Sequence, residues 1–182
     1  MASYYYTLSS LPMLQFDTPV TLSYEEFLNI VSPFVSSRDK EYLNFIKDDA
    51  SLLQDISHPF FISYNKFLKI LNRELRQVRL SAHKELSVDE DEKILLHDSL
   101  IYETVKKAVG QENPLEAEIS LLRLLYNEVE YLKEGHYFDS VSLFAYALQL
   151  RMLERKSRFI PIEGNTEFKR LFTNLQSIIK SI

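Results

Sequence analysis

The sequence predicts an all-α protein, an irregular bundle of six or seven helices with an extended N-terminal arm. Three observations support this fold class. The 182 residues include only three glycines and six prolines, too few for the frequent turns of a many-stranded β protein. Apolar residues recur at helical spacing along most of the chain. Finally, Ser, Asn and Asp stand at the points where these patterns begin, as expected for residues that cap helices.

The predicted helices begin and end at recognisable residues. Ser23 and Glu26 have the spacing of a capping box, so the first helix begins at about Tyr24, and Pro33 ends it or bends it. A short turn is predicted at residues 52–53, and residues 160–162 form an extended joint. The other predicted helices cover residues 38–47, 64–85, 89–109, 114–134, 140–158 and 166–182.

The helix over residues 114–134 has the clearest boundaries. Asn113 is a good N-cap, Pro114 occupies the first helical position, and Gly135 can adopt the left-handed conformation that ends a helix. Its apolar residues lie on several faces, which predicts that it is the central and most buried helix. By contrast, the acidic residues 89–92 are explained by the dipole of the helix that they open.

The length and composition are those of one folded domain. Hydrophobic residues make up 46% of the chain and charged residues 26%, both ordinary for a globular protein. We therefore predict a single helical domain over residues 1–182, with two lobes, 1–85 and 86–182, as the alternative division. Residues 4–14 form the N-terminal arm, either extended or as an irregular helix packed on the bundle.

The composition also argues against several classes of function. A net charge of −5 gives no general attraction for nucleic acid, which proteins bind by neutralising phosphates. No apolar run approaches the roughly 20 residues that span a bilayer, so we expect no direct membrane insertion. The first residues lack the basic and apolar regions of a signal peptide. Together with the absence of cysteine, this predicts a cytoplasmic protein.

No residue pattern indicates catalysis, a cofactor or a metal. The four histidines, at positions 58, 83, 97 and 136, have neither helical nor zinc-type spacing to other ligands. The three glycines are isolated, so they cannot form a loop that cradles phosphate. We therefore predict a protein that is not an enzyme and has no cofactor and no metal site.

Two groups of basic residues are candidate docking surfaces for an acidic partner, because arginine suits interfacial ion pairs. The alternative is that they are ordinary solvated helix faces, and RNA binding is a weaker interpretation. One group lies on the helix over residues 64–85, opposite its apolar stripe: Lys66, Lys69, Arg73 and Arg76, with Arg79 at the edge. The other lies on the helix over residues 140–158: Arg151, Arg155 and Arg158.

The tyrosine run near the N-terminus is a third candidate. Tyr4, Tyr5 and Tyr6 are adjacent, and three neighbouring side chains cannot all face inward on a regular element. Tyrosine is also a frequent interface anchor. The run therefore predicts either a docking surface or an arm that is tied to its own bundle.

Two segments resemble a known family. The stretch YYYTLSSLPML at residues 4–14 and the stretch FAYALQLRMLER at residues 144–155 resemble a small bacterial family encoded in V/A-type ATPase operons. Residues 74–79, ELRQVR, are similar to helical segments of the C-type central-stalk subunit, called d in eukaryotes. That subunit is all-helical but much longer, with three related lobes, so the resemblance implies at most a reduced counterpart.

The resemblance implies a role in a rotary ATPase. The expected function is that of a non-catalytic accessory or central-stalk component, which docks to stalk, head or membrane-ring subunits in the cytoplasmic sector and is peripheral to the inner membrane through them. Its alternatives are a transient assembly or regulatory factor for the same ATPase, and an unrelated helical protein-interaction domain.

Overall fold

The structure, a computed structural model, describes residues 4–48, 57–82 and 99–159. These ranges contain seven helices and no β-strand, which confirms the all-α fold class. No described helix is long and apolar enough to cross a membrane. The predictions for residues 52–53, 83–98, 160–162 and 166–182 lie outside the described residues. We number the helices α1 (Tyr5–Ser9), α2 (Tyr24–Val31), α3 (Ser37–Asp48), α4 (Pro59–Ala82), α5 (Ser99–Val109), α6 (Pro114–Lys133) and α7 (Ser140–Ser157).

The capping signals in the sequence act as predicted. The Ser23 side chain accepts a bond from the Glu26 amide and the Glu26 carboxylate accepts one from the Ser23 amide, which completes the capping box at the start of α2. The Asn113 side chain accepts from the Leu115 amide, 3.1 Å away, at the start of α6. Just beyond the end of α6, Gly135 has a φ of 80°, which confirms its left-handed conformation.

One predicted boundary was wrong. Helix α4 begins at Pro59 instead of Tyr64, because proline suits the first helical position and because Phe60 and Phe61 are buried in the core, which stabilises the added turn. The N-terminal arm takes the second of its two predicted forms, since it contains one short helix, α1, followed by irregular chain up to α2.

Helix α7 is the central helix of the described bundle. It packs against α2, α3 and α6, and residues 142–150 are all buried. The expectation that α6 would be the most buried helix was therefore wrong, since only four of its residues are buried. The apolar residues of α6 are spread around its circumference because they serve two different cores, and neither core encloses the helix.

The larger core is rich in aromatic side chains. The Phe144 ring of α7 lies 5.0 Å from the Phe61 ring of α4 and 5.4 Å from the Tyr42 ring of α3, measured between centroids. All three rings are buried. Since aromatic pairs in tilted and edge-to-face arrangements contribute beyond their buried area, this cluster holds three helices together.

A smaller core joins α4, α5 and α6. Its buried members are Leu71, Ile101, Val105 and Leu124. Leu125 of α6 packs against both cores. The predicted apolar stripe of α4 is confirmed in this core, because Phe67, Leu75 and Val78 pack around its members.

The irregular chain between α1 and α2 is fixed to α7 by polar bonds. The Tyr146 hydroxyl donates to the Pro12 carbonyl oxygen, 2.9 Å away. The Lys156 ammonium donates to the Phe16 carbonyl oxygen and lies 4.3 Å from the centre of the Phe16 ring. At the start of α2, the Glu154 carboxylate accepts from the Tyr24 amide at 2.7 Å. Buried carbonyls and amides outside regular structure are satisfied in this way.

Two buried tyrosines differ in whether their hydroxyls are bonded, which gives a testable contrast. The Tyr24 hydroxyl donates to the Leu43 carbonyl oxygen at 2.8 Å, whereas the buried Tyr126 hydroxyl has no hydrogen-bond partner among the described residues. Tyr24→Phe is expected to lower the free energy of unfolding by about 1 to 1.5 kcal/mol. Tyr126→Phe is expected to leave it within about 0.5 kcal/mol or to raise it, because it removes an unpaired buried polar group.

Urea denaturation of both variants measures this contrast. The wild-type protein is the common reference, and each variant removes the same single oxygen atom. An equal loss of stability in the two variants would contradict the hydrogen-bond assignment.

Candidate docking surfaces

Tyr4 fastens the N-terminus to the bundle. Its backbone amide donates to the Phe138 carbonyl oxygen at 2.7 Å, and its hydroxyl donates to the Asp39 carboxylate of α3. The side chain is only 4% exposed. Burial, together with the bond to Asp39, raises the pKa of the Tyr4 hydroxyl. Tyr4 is therefore the tyrosine that ties the arm to its own bundle.

Tyr5 and Tyr6 point in other directions and are 50% and 87% exposed. The Tyr5 ring lies 4.5 Å from the Phe138 ring and 5.4 Å from the Tyr6 ring. Phe138 and its neighbour Tyr137 are themselves exposed. We call these four residues, Tyr5, Tyr6, Tyr137 and Phe138, the aromatic surface. The sequence predicted Tyr5 and Tyr6 of this surface, whereas Tyr137 and Phe138 were missed because only the fold brings Phe138 beside α1.

The basic residues of α4 differ in their surroundings. Lys69, Arg76 and Arg79 are exposed. Arg73 is only partly exposed, and its guanidinium forms an ion pair with the neighbouring Glu74 carboxylate, with 2.8 Å between Nη2 and Oε1. Because Glu74 is fully buried, its pairing with Arg73 stabilises the fold, and the Arg73 guanidinium is held in place by it.

Glu74 is the most unexpected residue of this helix, because its side chain has no exposed surface. A buried carboxylate is costly unless it is paired and hydrogen-bonded, and Arg73 supplies such a partner. The burial of Glu74 could be predicted from the sequence, since Glu74 follows Leu71 by three residues and precedes Val78 by four. Those spacings place it on the apolar side of α4.

Arg151 of α7 also serves the fold. Its guanidinium donates to the Glu154 carboxylate and to the Lys47 carbonyl oxygen, each at 3.0 Å, and lies 5.4 Å from the centre of the Tyr24 ring. These contacts connect α7 with α2 and with the end of α3. Arg151 is therefore fixed within the bundle.

Arg155 and Arg158 are exposed at the end of α7. The Arg155 guanidinium donates to the Glu118 carboxylate of α6. The three arginines that share a face by periodicity thus have three different environments, and only Arg155 and Arg158 present exposed charge.

A groove that the sequence did not predict lies between α4, α5 and α6 and continues between α5 and α6 alone. The part between the three helices has a volume of about 680 Å³ and the part between α5 and α6 about 640 Å³, and both are lined by Thr104, Ser120 and Arg123. Its apolar wall includes Phe67, Ile70, Ile101 and Leu124. Leu100 and Tyr131 stand at its edge, 70% and 69% exposed. Only the packing of three helices creates this groove, so no local pattern could reveal it.

The described histidines have structural surroundings. The His58 ring packs 5.1 Å from the Phe144 ring, and burial lowers the pKa of His58 below its ordinary value. His136 lies beside Asp139, with 2.5 Å between Nδ1 and Oδ2. Within the described ranges, no group of three or more histidine, aspartate or glutamate side chains could hold a metal ion. His83 and His97 lie outside those ranges.

Asp139 caps α7 beside the aromatic surface. Its carboxylate accepts from the Ser142 amide at 3.0 Å and contacts His136. Burial alone would raise the pKa of Asp139, but the hydrogen bonds with His136 and with Ser142 outweigh it and bring the pKa below the ordinary value of 3.8. The ionised form is therefore favoured in the folded state.

Asp139→Ala is expected to lower the free energy of unfolding by about 1 to 2 kcal/mol at neutral pH, because the N-cap is lost. A carboxylate with a lowered folded-state pKa stabilises the protein above its unfolded-state pKa, and this stability is lost as the pH falls through the folded-state pKa. The difference between wild type and variant should therefore shrink below about pH 4. Urea denaturation at a series of pH values measures it, and a difference that grows on acidification would contradict the assignment.

Comparison of the chain with protein families, curated proteins and solved structures found no match.

Proposed function

We propose that this protein is a non-catalytic docking component of a bacterial V/A-type rotary ATPase. The observation that carries the docking role is the aromatic surface, where the exposed rings of Tyr5, Tyr6 and Phe138 lie together on a firmly held backbone, with the exposed Tyr137 next to Phe138 in the chain. The choice of ATPase rests on the resemblance of residues 4–14 and 144–155 to the family encoded in those operons. On this proposal the protein acts in the cytoplasm, peripheral to the inner membrane through the complex.

The aromatic surface has the properties of an interface core. Tyrosine and phenylalanine supply large contact areas while few side-chain torsions are immobilised, and such residues are enriched among those that dominate binding energy. The bond from the Tyr4 amide to the Phe138 carbonyl oxygen holds both halves of the surface in place. A partner therefore meets a preformed surface, which lowers the entropic cost of association.

The basic residues of α4 and α7 have a secondary part in this proposal. Lys69, Arg76 and Arg79 are exposed on α4, as are Arg155 and Arg158 on α7. Exposed charges at the rim of an interface accelerate and orient association more than they tighten it. Arg73 and Arg151 are excluded from this role because their side chains are only 23% and 30% exposed and pair with the buried Glu74 and the partly buried Glu154. Arg155 also pairs within the bundle, with Glu118, but its side chain is 62% exposed.

Affinity purification of the tagged full chain from its native cells, followed by quantitative mass spectrometry, tests the proposal. We expect ATPase head and stalk subunits to be recovered at a fixed ratio to the tagged chain. Sub-stoichiometric recovery that varies with growth conditions would favour a transient assembly or regulatory factor. Recovery of none of these subunits by a folded and abundant chain would contradict the ATPase assignment.

The docking surface is tested separately with variants. Tyr6→Ala is expected to weaken binding of the recovered partner by about 2 kcal/mol, roughly thirtyfold, as is usual for an aromatic anchor. Phe45→Ala is the matched control, because Phe45 is an exposed aromatic residue of α3 outside the aromatic surface. Equal binding of both variants in a titration with the purified partner would contradict the docking role of this surface.

A further inference from the structure

The loop between α6 and α7 determines whether the aromatic surface is assembled. The Phe138 carbonyl oxygen accepts from the Tyr4 amide at 2.7 Å, and the Phe138 ring lies 4.5 Å from the Tyr5 ring. Tyr137, the preceding residue, is 75% exposed. A movement of this loop therefore breaks the bond that fastens the N-terminal arm and separates the rings of Tyr5 and Phe138.

His136 and Asp139 close this loop from its two ends. Their side chains approach to 2.5 Å between Nδ1 and Oδ2, so the pair spans the two aromatic residues of the loop. The His136 amide donates to the Lys133 carbonyl oxygen at 2.9 Å, which fixes the histidine to the end of α6. The other Asp139 oxygen accepts from the Ser142 amide at 3.0 Å, which fixes the carboxylate to α7. We call the pair of His136 and Asp139 the loop clamp.

The charge of His136 sets the strength of the loop clamp. An ionised carboxylate only accepts hydrogen bonds, so the proton between Nδ1 and Oδ2 belongs to the histidine. A neutral imidazole can still donate, but the attraction between unlike charges is then lost. Histidine changes its charge between about pH 5 and pH 8. The clamp is therefore stronger at the acidic end of this range than at the basic end.

Asp139 keeps its charge through this range. Burial would raise the pKa of Asp139, but its hydrogen bonds with His136 and with Ser142 outweigh burial and lower the pKa below its ordinary value. Within the described residues, Asp139 is the charged partner of His136. The other charged or titratable groups on the elements around the loop are Lys133 and Glu134 at the end of α6, Arg38 and Asp39 of α3, and His58 before α4.

Three of these neighbouring groups are accounted for by other contacts. Lys133 pairs with Glu130 at 3.6 Å, and the Asp39 carboxylate accepts from the N-terminal arm. Burial lowers the pKa of His58, although Asp39 and Asp139 both act against this shift. Helix α1 contains no charged residue. None of these contacts replaces the loop clamp.

We propose that the loop clamp is a pH-sensitive switch of the aromatic surface, which keeps its preformed arrangement while His136 is charged and loosens when His136 is neutral. The Tyr4 amide loses its acceptor each time the loop opens, so the arm and the loop loosen together. The effect of this switch on a partner rests on the docking role proposed above, whereas the switch itself is a property of the isolated chain.

Hydrogen exchange of the Tyr4 amide in the isolated full-length protein tests the switch. The observed exchange rate is divided by the intrinsic rate at each pH, and the ratio gives the open fraction of the bond. Between about pH 5.5 and about pH 8, we expect this open fraction to rise about fivefold, the upper end for a partly exposed ion pair. The Leu115 amide is the control, because it bonds to the uncharged Asn113 side chain, and its open fraction should stay constant.

His136→Gln separates the loop clamp from the other titratable groups. Glutamine keeps a side-chain donor but carries no charge, so the open fraction at the Tyr4 amide is expected to be equal at the two pH values. An open fraction of the wild-type protein that does not rise with pH overturns the proposal. A rise of the same size in His136→Gln also overturns it, because another group, such as His58, then controls the loop.

Binding measurements distinguish a failure of this proposal from a failure of the docking role. We expect the wild-type protein to bind a recovered ATPase subunit about fivefold more weakly at about pH 8 than at about pH 5.5, and this difference should disappear in His136→Gln. If Tyr6→Ala weakens binding while the wild-type affinity is the same at both pH values, the surface docks without the switch and the proposal is overturned. If no subunit is recovered, the docking role fails, and the exchange rates of the isolated chain still decide the switch.

Discussion

Phe144→Ala is expected to lower the free energy of unfolding by about 3 to 5 kcal/mol, the usual cost of truncating a buried phenylalanine. The Phe144 ring is fully buried and packs against Phe61, Tyr42 and His58. Its removal leaves a cavity at the point where α3, α4 and α7 meet, and these helices cannot close it without losing their other contacts. A loss of this size is a large fraction of the total stability of a typical domain.

Guanidinium denaturation followed by far-UV circular dichroism measures this effect. Phe34→Ala is the control, because Phe34 is 68% exposed and its truncation should change stability by no more than about 0.5 kcal/mol. If the two variants unfold at the same denaturant concentration, Phe144 is not the centre of the core.

Glu154→Ala is expected to lower the free energy of unfolding by about 2 to 3 kcal/mol, because the carboxylate satisfies two groups at once. One oxygen accepts from the Tyr24 amide at 2.7 Å and the other from Arg151 at 3.0 Å. The Glu154 side chain is 17% exposed and that of Arg151 30%. Both partners lose a charged acceptor in the variant while they stay partly shielded from water.

Glu25→Ala is the matched control for this loss. Glu25 also forms an ion pair, with Lys47 at 2.7 Å, but the two side chains are 72% and 42% exposed. Ion pairs this exposed contribute little because water and salt screen the two charges, so we expect only a small change in the free energy of unfolding. Urea denaturation of both variants measures the two losses in the free energy of unfolding. Equal losses would mean that Glu154 acts only as a surface charge.

The local parts of this fold could be predicted from the sequence because they depend on neighbouring residues. The capping residues Ser23, Asn113 and Asp139 bond to amides two or three positions away. The start of α4 depends instead on burial of Phe60 and Phe61 beside α7, which no local pattern contains. The central position of α7 was missed for the same reason, since periodicity records which faces are apolar and not which helices surround them.

The candidate docking residues show the same limit. The adjacency of the three tyrosines predicts that they cannot all face inward, but it does not predict which of them is buried. Tyr4 is buried because it bonds to the Phe138 carbonyl oxygen and to the Asp39 carboxylate, and both residues are distant in sequence. Arg151 was grouped with Arg155 by helical spacing. Its binding to the Lys47 carbonyl oxygen depends on how α3 ends against α7, which only the tertiary structure determines.

The bonds between the first residues and α7 have a consequence for how the protein folds as it is synthesised. Pro12, Phe16 and Tyr24 find their partners 130 to 140 residues later in the chain. At the usual rate of translation, this separation corresponds to on the order of ten seconds or more. During that time the N-terminal segment has left the ribosome without the helix that holds it. The native packing can therefore be completed only after α7, the last of the described helices to be synthesised, has left the ribosome. A chain that is interrupted before α7 retains exposed aromatic residues that favour aggregation.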